Sequence, residues 1–312
     1  MYSIRMKDSQ TKAPAFFLSC ILALCVFPLL FSCTEKPAEN GAEALTVTVS
    51  ILPHRWFVSE VAKGNPAVAV NVLAGEGQNP HSYEPTTRQI QALAESAFWL
   101  LSGSEFEIPL LPKIRAQFPS LHIVDGTAGV TFRQMEEETG SHPEETHTGN
   151  IDRHSWLGEQ PALLLAGHIC GALCQADPAN AELYRKNAAA LKETITAEFA
   201  SLREKLEPLR GAPVFVFHPS FGYFLDEFGI RQEAVETGGK EPTAKTLAAI
   251  IGKARRENPK AIFVQAQFPV AAAKTLADSV GAEVVPLDPL AENWLQNIRT
   301  MGGNLAALTE QE

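Results

Sequence analysis

Four residues spread along this chain carry side chains able to ligate a divalent metal ion: His81, His154, His218 and Asp288. Imidazole nitrogens and carboxylate oxygens are ordinary protein ligands for such ions, and they bind in their deprotonated forms. The four stand roughly 70 residues apart, so they make no local signature like the paired histidines of one helical turn. Taken singly, each also reads as plain structure: a lone histidine as a hydrogen-bonded core residue, and the Asp-Pro of "LDPLA" as a turn. What groups them is their position relative to the strands around them.

His81 lies in "GEGQNPHSYEPTT", just after the strand-like run "AVAVNVL". His218 ends the run "PVFVF", and Asp288 follows "AEVVPL". In parallel sheets, residues just beyond the carboxyl ends of strands line the ligand crevice. Three potential ligands from distant parts of the chain therefore fall at one topological place. His154, in "IDRHSWLG", opens a helical region, with Asp152 set to cap it or to hold its ring. His54, in "ILPHRWF", is expected at a strand end near the cleft, in a supporting or structural role; His122 and His168 are expected to be structural.

The elements that must position these residues come in two similar halves. "LTVTVSIL" from Leu45, "AVAVNVL" from Ala67, "AFWLLSG" and "LHIVD" from Leu121 read as strands, with the helical "RQIQALAES" among them. Residues 135–150, "MEEETGSHPEETHTGN", are acidic and without apolar period, which predicts a solvated loop. Its His142 and His147 are either an auxiliary metal-collecting pair or simply part of that loop. Helical sequence resumes near Gln160. Leu183, Leu191, Ile195, Phe199, Leu202 and Leu206 then recur at helical intervals, predicting one continuous helix over 178–209. Beyond it the strands "PVFVF", "AIFVQ" and "AEVVPL" alternate with helices near 244–257 and 270–280, and a last helix covers about 293–309. The pattern predicts an α/β fold of two β/α lobes with mainly parallel sheets, joined by a long rigid linking helix.

Composition narrows the function classes. The 312 residues are 45% hydrophobic and 20% charged, with a formal charge of -10 and no basic stripe, which excludes a general affinity for nucleic acid. Arg5, Lys7 and Lys12 precede an apolar run over 13–31, which leads into the polar stretch "SCTEKPAENGAEA". That layout predicts a secretory signal followed by a tether, against the alternative of a retained N-terminal helix. Leu30-Phe31-Ser32-Cys33 resembles the bacterial lipoprotein box, with Phe31 bulkier than the usual occupant, so Cys33 is the expected site of acylation and membrane anchoring. The expected division is signal 1–32, tether 33–44, first lobe 45–176, linking helix 177–210 and second lobe 211–312. Cys170 and Cys174, four apart on an apparent helix, read as small buried side chains, because a bridge within a regular helix would be strained.

Several motifs in register resemble one family. "NPHSYEPT", "DRHSWL", "FHPSFGYFLDEFGI", "GGKEPTAKTLAAI" and "LDPL" are similar, in this order, to motifs of the metal-specific substrate-binding proteins of ABC transporters, the ZnuA/TroA type. The likeness runs from about Thr46 to Thr309. It implies one metal held in a cleft between the lobes, by His81 and His154 from the first and His218 and Asp288 from the second. Three imidazoles and a carboxylate suit zinc more than manganese, whose binders in this family usually place Glu where this chain has His218, although copper and nickel also take such ligands. The resemblance further implies an ABC permease and its ATPase as partners, a monomeric protein of the cell envelope, and no enzymatic activity. A zinc hydrolase with Glu84 as base, and a surface adhesin on the same scaffold, are the rival readings. Arg153 stands where the family usually has Pro before the second histidine.

Overall fold

A computed structural model of the chain describes residues 44–135, 151–235, 243–259, 261–265 and 271–309. The expected signal, Cys33, His142, His147 and residues 238–242 of the "GGKEP" segment lie outside the described residues.

Two parallel sheets carry the architecture. In the first, β1 (Leu45–Ile51), β2 (Val68–Ala74), β3 (Phe98–Leu101) and β4 (His122–Asp125) take the order β2-β1-β3-β4. In the second, β5 (Pro213–Val216), β6 (Arg231–Ala234), β7 (Ala261–Val264) and β8 (Glu283–Pro286) take the equivalent order β6-β5-β7-β8. Both orders reverse direction beside the first strand of the sheet, and such switch points open a crevice at the carboxyl ends of the strands. Helices α1 (Leu52–Val61), α2 (Thr87–Ala94), α3 (Glu107–Gln117) and α4 (Glu159–Ala176) serve the first sheet. Helices α6 (Gly222–Asp226), α7 (Ala244–Glu257), α8 (Ala271–Val280) and α9 (Trp294–Ala307) serve the second.

Between them runs α5, Ala181–Leu206, 26 residues long. At 1.5 Å per residue it spans about 39 Å. The helix expected over 178–209 is thus framed by two short 3-10 turns, Pro178–Asn180 and Glu207–Leu209. Pro208 accounts for the second, because proline lacks the N–H that an α-helical interior requires, while Pro178 opens the first, where that N–H has no helical partner to lose. Tyr184, Ala188, Leu191, Ile195, Phe199, Leu202 and Leu206 form its buried stripe.

That stripe belongs to a single apolar cluster reaching from Val47, Val49 and Phe57 of the first half to Val216, Phe224 and Trp294 of the second. Phe199 stacks on Phe228 at 6.0 Å between ring centroids and 11° between planes. The alternation of β5 divides its side chains between layers: Val214 and Val216 enter this shared cluster, while Phe215 joins a separate cluster under α8 with Ile262 and Leu276. Gly302 lets α9 approach α5, since a Cβ there would overlap Leu202. Arg203 of α5 pairs with both Glu159 at the start of α4 and Glu227 just after α6. Among the described residues, no helix is long and apolar enough to cross a membrane.

Candidate metal centre

The cleft lies at the carboxyl ends of both sheets, lined among others by His81, Glu105, Arg153, His154, Trp156 and His218. Three of the four residues singled out by sequence meet there. The Nε2 atoms of His81 and His218 are 3.1 Å apart, and those of His218 and His154 are 3.4 Å apart. One ring nitrogen from each histidine lies within 4.8 Å of both others.

Each imidazole is aimed by local structure. His81 follows β2 in a turn where its backbone N–H donates to Asn79 Oδ1 at 3.0 Å. On its far side, Nδ1 faces Glu105 Oε2 at 3.0 Å. His154 sits immediately before a 3-10 turn over Ser155–Leu157. Asp152 Oδ1 accepts from both its backbone N–H, at 3.0 Å, and its Nδ1, at 2.8 Å. Asp152 is fully buried, and Arg133 Nη1 lies 3.5 Å from its other oxygen. His218 follows β5 and is clamped by a residue at the end of β7: Gln265 Oε1 accepts from the His218 N–H, and Gln265 Nε2 donates to the His218 carbonyl at 2.6 Å.

These contacts decide the chemistry of the cleft. An ionised carboxylate only accepts hydrogen bonds. The protons of His81 and His154 therefore sit on Nδ1, toward Glu105 and Asp152, and their Nε2 lone pairs face inward. His218 Nε2 can donate to only one of them. Lone pairs converging at this range repel unless a proton or a cation lies between them, so the arrangement fits a cation. Burial pushes the Glu105 carboxyl up, but the hydrogen bond and charge of His81, with a smaller contribution from His154, leave it below the usual carboxylate value.

Asp288 stands two residues past β8 and lies outside the three-imidazole cluster. Its Oδ1 accepts from the Leu290 N–H at 2.9 Å, and its neighbours Pro289 and Leu290 line the cleft. Of the aromatics near the motifs, Trp156 lines the cleft, with its ring centroid 5.5 Å from that of His154. Tyr83, Phe221 and Phe224 belong to apolar clusters, and Tyr223 accepts from the Arg133 N–H and donates to the Asp152 carbonyl. Glu84 is exposed and does not line the cleft. His54 is in the first turn of α1 and not at a strand end, because Pro53 starts a helix directly after β1. It is buried, and desolvation lowers its pKa to about 3.

Residues 47–310 match the family model described as ZnuA, zinc-uptake complex component A, periplasmic. The chain belongs to the ZnuA family. Within and around that family, it is 26% identical to the zinc-binding lipoprotein AdcA of Streptococcus pneumoniae over 301 residues, covering 94% of this chain but 59% of AdcA. It is 33% identical to the high-affinity zinc uptake system protein ZnuA of Brucella abortus over 144 residues, covering 46% of this chain and 43% of that protein. The chain thus spans well under two thirds of the length of these curated relatives. A crystal structure of ZnuA superposes with a TM-score of 0.76 at 32% identity, covering 85% of this chain and 98% of that one. The ZnuA-family match agrees with the two-lobed α/β architecture and with the order of motifs along the sequence.

Glu105, which lines the cleft, and Gln265, which clamps the His218 backbone, are two residues that sequence reading passed over. Both lie at the carboxyl ends of strands, β3 and β7, in the same position that singled out His81 and His218.

Proposed function

We propose that this chain captures Zn2+ outside the cytoplasm and delivers it to an ABC permease and its ATPase for uptake. The observation that carries this reading is the spacing of His218 Nε2 from the Nε2 atoms of His81 and His154. A tetrahedral zinc ion with Zn–N bonds of about 2.0–2.1 Å holds its nitrogens about 3.3 Å apart, and the separations of 3.1 and 3.4 Å match that value. His81, His154 and His218 are the assigned ligands. Asp288 is assigned as the fourth, on the resemblance of its "LDPL" segment to the family motif. Manganese prefers oxygen-rich sites, so this nitrogen-rich set favours zinc over it. A four-ligand site leaves zinc no open position for hydrolysis.

The same reading takes residues 1–32 as a removable signal, Cys33 as the lipid anchor at the outer face of the membrane, 33–44 as the tether and 177–210 as the link between lobes 45–176 and 211–312. The name of the AdcA relative as a lipoprotein supports the anchor. Elemental analysis of the purified protein, followed by competition between zinc and manganese, tests the function. One equivalent of zinc that manganese cannot displace is the expected result; preferential retention of manganese overturns it. A deletion strain that grows normally under zinc starvation would favour the adhesin reading instead.

A further inference from the structure

We propose that Glu105, steered by Arg153, is a positioning residue that fixes the tautomer and aim of His81; the inference rests on the zinc reading above. No ligand role is needed for it, because Glu105 meets the ring nitrogen that points away from the cluster: His81 Nδ1 to Glu105 Oε2 is 3.0 Å, while His81 Nε2 faces His218. The carboxylate accepts the Nδ1 proton and leaves the Nε2 lone pair for the ion. Partners of this kind raise ligand basicity and orient the ring.

The loop that carries Glu105 is built to hold it. Glu107, buried at the start of α3, accepts from the Ser102 N–H at 2.7 Å, the Ser102 hydroxyl at 2.8 Å and the Gly103 N–H at 2.8 Å. From the other side, Arg153 Nη1 donates to the Gly103 carbonyl at 2.9 Å, and its Nε lies 3.9 Å from Glu105 Oε1. Arg153 is the residue immediately before His154 and replaces the proline usual at that place. It therefore links two segments that each present an imidazole: the His154 turn and, through Glu105, the His81 turn. A proline could make neither contact, having no side-chain donor.

His154 has a buried partner in Asp152, fixed by its own chain two residues away. His81 is half-buried and has no acidic residue that close in sequence, so its partner must come from another loop, and Glu105 supplies it. The two histidines of the first half are then aimed by equivalent chemistry from different sources.

The test measures zinc affinity of the purified protein by competition with a chromophoric chelator, for wild type, Glu105→Leu, Glu105→Gln and Arg153→Ala. Partners of ligating histidines are worth about 10–100-fold in metal affinity. Glu105→Leu is expected to weaken zinc at least tenfold, Glu105→Gln less, since the amide oxygen still accepts, and Arg153→Ala severalfold. In parallel, 15N spectra of the zinc-free protein should show His81 protonated on Nδ1 in wild type and as a mixture of tautomers in Glu105→Leu, a readout that general destabilisation would not move. Zinc affinity within twofold of wild type together with an unchanged tautomer in Glu105→Leu overturns the proposal. If wild type itself fails to bind zinc, the transport reading has failed, and the spectra still decide the role of Glu105.

Discussion

The indole N–H of Trp156, two residues after His154, donates to the carbonyl of Pro289, one residue after Asp288, at 2.8 Å. Trp294 returns the connection, donating its own indole N–H to the Trp156 carbonyl at 2.7 Å. The segment bearing the second half's carboxylate is thereby hung from the segment bearing an imidazole of the first. Trp156→Phe keeps the ring but leaves the buried Pro289 carbonyl unpaired, a loss of about 1–3 kcal/mol. Urea unfolding of the zinc-free protein should show that loss; unchanged stability would mean that the indole bond contributes nothing.

His218 lies between the other two imidazoles and is the only one of the three from the second half. His218→Ala is expected to weaken zinc binding at least tenfold in calorimetry, with the fold intact by circular dichroism. Because ligands bind deprotonated, zinc affinity of the wild type should also fall as the solution is acidified, and fall less steeply in His218→Ala, which has one imidazole fewer to protonate.

Asp152 holds the backbone and the ring of His154 with one oxygen. Asp152→Asn retains an acceptor but loses the charge that favours the Nδ1–H tautomer, and zinc affinity should drop about tenfold. Equal affinity in variant and wild type would show that the 3-10 turn alone aims the ring.

His54 stays neutral in the fold, its pKa lowered to about 3 by burial, whereas in the unfolded chain it takes up a proton below about pH 6.5. The unfolded state binds the extra proton, so stability falls as pH drops from about 6.5 toward 3, by about 1.4 kcal/mol per pH unit from this group. His54→Leu removes that contribution. The stability difference between variant and wild type, measured at pH 6.5 and 4.5, should shift by about 2–3 kcal/mol in favour of the variant at the lower pH. A pH-independent difference would mean that His54 becomes protonated in the native state.

Much of the architecture is legible in the chain because apolar period and strand ends are local properties. The strand "LHIVD" and the helices over 244–257 and 270–280 needed only their own residues. Helix α1 was not legible: "LPHRWFVSEV" continues a strand without a break, and only Pro53 marks the change. β6 was missed for a related reason, since "RQEA" is polar and is a strand only through pairing with β5. In the cleft, the histidines stood out by residue type. Glu105 and Gln265 did not, because a carboxylate or an amide gains meaning only from the histidine it holds, by the ring for Glu105 and by the backbone for Gln265.

The unbroken apolar cluster through α5 sets the scale of motion open to this molecule. A clamshell gaping through a wide angle would have to peel Phe199 away from Phe228 and wet side chains from both halves at once, a loss comparable to several core truncations. Wide separation of the two sheets is therefore costly, and the easier changes are small ones at the rim of the cleft, where His81 and Glu105 are only partly buried.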